Sequence, residues 1–183
     1  MSVIVVEFTT LDGVVEDPDG SGGTAGGGWA FRHGPEAVAG DKFRLGSLLD
    51  TGVLLFGRTT WELFAKLWPG RSGEFPDRLN AAAKLVASRT LQDVSAWQNS
   101  VLLRGDLAEA VEREERDVIV IGSIGIAQEL ARHGLVGEYR LLVFPSVVGA
   151  GRRLFDDVAA PVDFDLVATA QAGPAILSTY RKR

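Results

Sequence analysis

The sequence predicts an α/β fold in a single domain over residues 1–183: a mostly parallel sheet covered by helices, with antiparallel strands at its C-terminal end. Two observations carry this prediction. Segments of strand and helix character alternate up to about residue 135, and the last three regular segments are strands with no helix between them. Alternation favours parallel strands joined by helices, whereas consecutive strands favour antiparallel pairing. A chain of 183 residues is long enough to bury a sizeable core.

The first elements follow from residue type and spacing. A run rich in β-branched residues predicts a strand over Val3–Thr10, closed by an Asp-Gly turn. The glycine-rich segment over about 16–34 predicts a mobile loop, either a disordered insertion or a lid over a site. Apolar spacing over 35–50 predicts a helix. The uninterrupted apolar run 53–56 is typical of a fully buried strand.

The rest of the chain is predicted in the same way. Thr59 and Glu62 have the spacing of a capping box, so a helix is predicted to begin at Thr59. Asp106 is predicted to cap another helix, and Gly134 is predicted to end the helix that follows Gly122-Ser123. The remaining predicted strands are 84–87, 100–103, 117–121, 139–144, 162–169 and 175–181.

Composition excludes several classes of function. A net charge of −5 argues against a broad cationic surface for nucleic acid. No apolar stretch approaches the ~20 residues of a membrane-spanning helix, and the N-terminus lacks the basic region of a signal peptide. With no cysteine and with His33 and His133 far apart, no metal site is expected, and a cytoplasmic location fits. Any redox chemistry must therefore use an organic cofactor.

Three predicted strand ends carry glycine or small polar residues, over 56–60, 87–90 and 121–125. Ligands of open α/β sheets lie beyond the carboxyl ends of parallel strands, and a helix N-terminus attracts phosphate. Arg58 and Arg89 are suited to clamp a terminal phosphate, which favours NADPH over NADH. Glycines at 57 and 122 permit a close approach of the backbone.

Each of these segments also has a plainer interpretation. Residues 57–60 match a helix start with an exposed arginine, and 122–125 match a tight strand-to-helix turn. Ser88 and Thr90 are common in turns. The segment 122–125 does not fit the Rossmann fingerprint, because two of the required glycines are replaced. The occurrence of all three segments at successive strand ends is what favours a dinucleotide site.

As an ordered set these segments resemble the dihydrofolate reductase superfamily. The likeness is nearer still to the reductase domain at the C-terminus of the riboflavin-biosynthesis deaminase–reductase, and it extends from Val3 to about Tyr180. The motifs that carry it are Leu11-Asp12-Gly13, Leu55-Phe56-Gly57-Arg58-Thr59-Thr60-Trp61-Glu62, Val120-Ile121-Gly122-Ser123 and Phe144-Pro145-Ser146-Val147-Val148-Gly149. The resemblance implies the three-layer dihydrofolate-reductase-like fold and, from such relatives, a homodimer.

The resemblance also implies how NADPH is held. Arg58, Thr59 and Thr60 would bind its phosphates, and the turn that begins at Gly122 would approach the pyrophosphate and nicotinamide. In dihydrofolate reductases that turn has two glycines joined by a cis peptide; here the second is a serine, before which a cis bond would cost ~3 kcal/mol. The full implied cofactor set is Gly57, Arg58, Thr59, Thr60, Ser88, Arg89, Thr90, Gly122, Ser123, Ile124, Gly125 and Ile126, with residues 88–90 around the adenosine 2′-phosphate.

Three residues are candidates for the substrate side. Counting back from the first cofactor motif, Asp41 lies where dihydrofolate reductases carry the acid that anchors the pterin, which makes it the candidate catalytic acid; a solvated surface acid is the alternative. Trp29 is expected either to cover a bound ring as part of the lid or to anchor the loop by packing. Glu7, in an apolar strand, must face a polar cleft or be paired, because a lone buried carboxylate is costly.

The expected activity is hydride transfer from NADPH to a C=N or C=O group of a pterin-like or phosphoribosylamino-uracil-like small molecule. A phosphorylated substrate needs a further basic group, for which Arg152 and Arg153 are candidates. One alternative is a nucleotide-binding sensor or interaction module that keeps the fold without turnover. Another is a structural oligomer without a ligand.

Overall fold

A single sheet of eight strands forms the centre of the molecule, which is described by a computed structural model over residues 1–156, 158 and 160–183. The strand order is β4-β3-β2-β5-β1-β6-β8-β7. Strands β1 to β6 pair in parallel, while β8 pairs antiparallel with both β6 and β7. The strands are β1 Val3–Thr10, β2 Val53–Gly57, β3 Ala83–Ala87, β4 Ser100–Leu103, β5 Val118–Ile121, β6 Val136–Phe144, β7 Phe164–Ala172 and β8 Ala175–Lys182. The predicted fold class is confirmed.

Helices cover both faces of the sheet and complete three layers. They are α1 Pro35–Val38, α2 Leu48–Thr51, α3 Arg58–Leu67, α4 Glu74–Ala81, α5 Leu107–Glu112 and α6 Ile124–Arg132, with a 3₁₀ turn at Phe31–His33. On one face α2, α3 and α4 bury Leu49, Trp61 and Leu79 against the sheet. On the other face α5 and α6 bury apolar residues that include Val111 and Leu130. No helix in the described part of the chain has the length and apolar character needed to cross a membrane.

The prediction of one helix over 35–50 is wrong. Only its two ends are helical, as α1 and α2. Between them Arg44 and Gly46 adopt φ angles of 53° and 48°, which a right-handed helix does not contain. The Asp41 carboxylate holds this turn, because its oxygens accept the backbone N–H groups of Leu45 at 2.8 Å and Gly46 at 2.7 Å. A local side-chain bond to the backbone therefore replaces the helical pattern that the apolar spacing indicated.

The starts of helices α3 and α5 differ in whether a side chain caps them. Helix α3 begins at Arg58 after Gly57 and has no side-chain cap, so the capping box predicted from Thr59 is wrong. The Asp106 cap of α5 is confirmed, since its carboxylate accepts the Glu109 N–H at 2.9 Å. Helix α4 was not predicted; Pro76 lies within its first turn, where proline is tolerated.

The predicted end of α6 is confirmed. Gly134 adopts a φ of 67°, and its N–H donates to the Ala131 carbonyl at 2.9 Å. The Leu135 N–H donates to the Leu130 carbonyl at 3.0 Å. These two bonds satisfy carbonyls that the last helical turn leaves unpaired, and they turn the chain directly into β6.

Candidate functional site

The three strand ends identified from the sequence lie side by side. Strand β2 lies between β3 and β5 in the sheet, and Gly57 pairs in register with Ala87. Two hydrogen bonds join the segments after β2 and β5. The Gly57 N–H donates to the Ser123 hydroxyl at 3.1 Å, and the Thr60 hydroxyl donates to the Gly122 carbonyl at 2.9 Å. The structure therefore brings the predicted residues 57–60 and 122–126 into one edge of the sheet.

Two helix N-termini point at this edge, those of α3 and α6. The first N–H groups of a helix have no partner within it and carry partial positive charge, so both ends suit phosphate oxygens. Gly122 has a φ of 62°, and the peptide bond that follows it is trans. A Cβ atom at Gly57 would lie 3.4 Å from the Ile126 Cγ1 atom, which leaves little room for a side chain. The contact shows that the first turn of α6 packs directly against the end of β2.

The two predicted clamp arginines share this edge. Arg58 and Arg89 are both exposed, and within the described residues neither makes an ion pair or a side-chain hydrogen bond. The Ser88 hydroxyl is engaged instead, because it accepts the N–H groups of Thr90 at 3.2 Å and Leu91 at 3.0 Å. Ser88 therefore shapes the turn, as its plainer interpretation held, and the turn leaves the guanidinium of Arg89 exposed.

A fork in the sheet adds a feature that the sequence analysis missed. Strand β1 pairs with β5 only as far as Val6 opposite Ile121, whereas it pairs with β6 up to Thr10. The Val6 carbonyl accepts the Gly122 N–H at 3.4 Å. Backbone groups alternate in direction along a strand, so the N–H and C=O of Phe8 point into the space that β5 has left. The only signal in the sequence was the greater length of the first strand.

Glu7 is the first residue beyond this fork, and its side chain faces α6. Its partner across β6, Leu141, packs in the cluster that contains residues of α6. Glu7 is 4% exposed, and its Oε1 atom has no hydrogen-bond partner within the described residues. Burial raises the pKa of Glu7 to about 8, against the attraction of the Arg152 guanidinium. Within the described residues Glu7 makes no ion pair, so that alternative is wrong, whereas the polar cleft remains a prediction; burial favours the protonated form of the carboxyl group.

The other two substrate candidates lie elsewhere. Asp41 is on the opposite face of the sheet from Glu7, and both of its oxygens are used by its own loop. Trp29 is fully buried; its indole N–H donates to the Glu16 carbonyl at 2.9 Å and its ring packs 5.5 Å from that of Phe144. The structure therefore supports the packing alternative for Trp29 and gives Asp41 a role in its loop.

Only one of the two late arginines, Arg152 and Arg153, reaches the sheet edge at which α3 and α6 begin. The Arg152 guanidinium donates to the Gln128 side chain of α6 at 3.1 Å and lies near Gly125. Arg153 donates to the Asp12 carbonyl at 2.9 Å, beneath the turn after β1. Arg152 therefore adds a third cation to the edge, next to the start of α6.

The Asp12 of the Leu-Asp-Gly motif has a structural role. Its carboxylate accepts the Thr10 hydroxyl at 2.6 Å and the backbone N–H groups of Val148 at 3.2 Å and Gly149 at 2.7 Å. These bonds lower the pKa of Asp12 to about 2. The motif thus ties the turn after β1 to the segment after β6, against which the glycine-rich loop packs through Gly26.

The strand order, the fork and the two helix starts at one sheet edge define a dihydrofolate-reductase-like domain. The chain belongs to the RibD C-terminal domain family, whose model matches residues 1–178. It is 28% identical over 130 residues, 66% of this chain and 67% of the relative, to the uncharacterised protein YyaP of Bacillus subtilis.

Solved structures give the same fold. A Shewanella sp. PV-4 protein assigned to riboflavin biosynthesis superposes with a TM-score of 0.76 at 19% identity, over 100% of this chain and 99% of that one. Dihydrofolate reductase of Enterococcus faecalis, solved with NADP(H), superposes with a TM-score of 0.59 at 14% identity, over 99% of this chain and 96% of that one.

A longer relative is the Thermotoga maritima diaminohydroxyphosphoribosylaminopyrimidine deaminase/5-amino-6-(5-phosphoribosylamino)uracil reductase. It superposes with a TM-score of 0.61 at 18% identity, over 100% of this chain but only 56% of that protein. This chain therefore corresponds to little more than half of it.

Proposed function

We propose that the chain is an NADPH-dependent reductase that transfers hydride to a C=N or C=O group of a small molecule. The observation that carries the proposal is the shared edge of β3, β2 and β5, where two helix starts and the exposed guanidinium groups of Arg58 and Arg89 lie along the same edge as the fork. NADPH would supply the reducing power. The protein would bind and orient both reactants and exclude water from them.

The described residues fit such a cofactor. The N–H groups at the start of α3, with Thr59 and Thr60, and those of α6 would hold phosphate oxygens. Arg58 and Arg89 would hold the 2′-phosphate, since a guanidinium pairs bidentately with phosphate. The N–H and C=O of Phe8, which point into the fork, present one donor and one acceptor, which complements the carboxamide of nicotinamide.

For the substrate we favour a phosphoribosylamino-uracil over a pterin. The acid that a pterin would need is engaged, because both Asp41 oxygens accept backbone N–H groups. On that same face the rings of Phe8 and Phe43 stack on each other at 5.6 Å, so each ring already has an aromatic partner within the protein. Arg152, next to the start of α6, offers a cation for a substrate phosphate. The substrate would then be 5-amino-6-(5-phosphoribosylamino)uracil, the molecule in the name of the longer relative.

A cofactor titration tests the proposal. We expect NADPH binding to shift the fluorescence of the cofactor. Arg58→Ala and Arg89→Ala should each weaken NADPH about 10- to 100-fold, the loss of a charge-assisted contact, and should weaken NADH much less. Arg113→Ala is the matched control, since this exposed arginine is paired with Glu109 on α5. Equal losses for NADPH and NADH would refute the 2′-phosphate assignment.

A sensor or interaction module without turnover is the alternative that the free arginines also permit. Tight NADPH binding that no aminouracil or pterin converts into NADPH oxidation would favour that alternative. A homodimer and a cytoplasmic location remain predictions. For the dimer, the exposed apolar residues Leu166, Val167 and Ile176 on the outer strands β7 and β8 support pairing with a second copy.

A further inference from the structure

The proposed reductase leaves Glu7 without a role. A lone carboxyl in an apolar strand is costly to bury, yet Glu7 is 4% exposed and its Oε1 atom has no partner within the described residues. A carboxyl group with a free oxygen and no ion pair is an unusual occupant of a core position. The position of Glu7 in the fold indicates which bound group would change the protonation state of its carboxyl.

Glu7 stands at one end of the cofactor edge. The 2′-phosphate clamp is at the end of β3, and β2, β5 and then β1 follow across the sheet. Neighbouring strands are ~4.8 Å apart, so β3 and β1 are separated by roughly 14 Å. A dinucleotide whose adenosine end lies at β3 and whose phosphates lie at the helix starts would therefore carry its nicotinamide end to the fork. This step rests on the proposed function.

We propose that Glu7 is a proton-linked selector for the oxidation state of the cofactor, which stays protonated beside the uncharged dihydronicotinamide ring and ionises beside the nicotinamide cation. A neutral neighbour leaves the buried acid in its protonated form. A positive neighbour favours the carboxylate. Binding of NADP⁺ would then release one proton from the protein to solvent, whereas binding of NADPH would release none.

The charged groups of the protein near Glu7 do not ionise it by themselves, so its ionisation depends on the bound cofactor. The charged residues of the flanking β6 and α6 pair with one another, Arg140 with Glu138 and Arg132 with Glu129, and the charged groups that act on Glu7 from the neighbouring loops are Arg152 and, through it, Glu16. Arg152 attracts the carboxylate form but keeps its guanidinium exposed and bonded to Gln128. The Glu16 carboxylate accepts the Arg152 backbone N–H at 3.2 Å and offsets part of that attraction. Burial of Glu7 prevails over Arg152, since the pKa of Glu7 is about 8. A cation added at the fork would shift Glu7 from its protonated form to the carboxylate.

The test is the pH dependence of two affinities. NADPH binding is followed by its fluorescence and NADP⁺ binding by competition, from pH 6 to 8. Release of one proton predicts that the Kd of NADP⁺, relative to that of NADPH, falls about tenfold from pH 6 to 7 and about fivefold from pH 7 to 8, because Glu7 of the free protein is half ionised near pH 8. Titration of the 2′-phosphate is common to both forms and cancels in the ratio. Glu7→Gln should abolish the slope, and Glu36→Gln, at an exposed site, should keep it.

Each outcome has one meaning. A ratio that does not change with pH in the unmodified protein, or a slope that persists in Glu7→Gln, overturns the selector while the cofactor site stands. Failure of both nucleotides to bind the unmodified protein overturns the proposed function and the selector with it. If Glu7→Gln does not fold, calorimetry of the unmodified protein in two buffers of different ionisation enthalpy decides. About one more proton released with NADP⁺ than with NADPH near pH 7 supports the selector, and equal release overturns it.

Discussion

The neutral state of Glu7 has a consequence for stability that needs no cofactor. Burial raises the pKa of Glu7 from 4.5 to about 8. Between these values the unfolded chain has lost this proton and the folded chain has kept it, so the free energy of unfolding falls as the pH rises. Each pKa unit corresponds to about 1.4 kcal/mol, so the loss from pH 4.5 to 7 is about 3 kcal/mol.

Glu7→Gln removes this loss while keeping the shape of the side chain. The unfolding free energy of the variant minus that of the unmodified protein should rise by about 3 kcal/mol as the pH rises from 4.5 to 7. The measurement is urea unfolding of both proteins at several pH values. The difference between the two proteins is the relevant quantity, because every other titrating group cancels in it. A difference that stays constant within about 0.5 kcal/mol would show that Glu7 is ionised in the folded protein.

Two further predictions concern the framework around the site. Lys84 is 1% exposed, and its ammonium group donates to the carbonyls of Asn80, Ala82 and Gln98 at 2.9, 2.7 and 3.2 Å. Lys84→Met should orphan these carbonyls and lower the unfolding free energy by about 3 kcal/mol, measured by urea unfolding; a loss below about 0.5 kcal/mol would contradict it. Asp12→Asn should lower Tm at pH 7. The pKa of Asp12 is lowered to about 2, so the stability that its carboxylate provides is lost as the pH falls from 3.8 toward 2. The difference in Tm between the unmodified protein and Asp12→Asn should therefore become smaller over this range. A difference that does not change with pH would count against the structural role of Asp12.

The sheet was predictable because its signals are local. Uninterrupted β-branched runs, an Asp-Gly turn after β1 and a helix end at Gly134 each act within a few residues, and the structure confirms them. The segment between β1 and β2 was not predictable in the same way. Its apolar residues keep helical spacing, yet the Asp41 carboxylate and the positive φ of Arg44 break the helix. A non-glycine residue in that conformation leaves no mark on an apolar pattern.

The candidate site likewise has one part that the sequence predicted and one part that it did not. Arg58 and Arg89 were identified because strand ends of adjacent parallel strands must meet at one edge, so sequence order alone brings them together. The fork depends instead on the relative lengths of β1 and β5 and on the register between them. Because of these lengths and this register, Val6 pairs with both β5 and β6, whereas Phe8 pairs only with β6. The lengths and the register also place Glu7 among buried neighbours, whereas a strand β5 two residues longer would close the fork. The position of Glu7, the residue proposed to sense the cofactor, is thus set by strand lengths and register in three dimensions, which no local motif encodes.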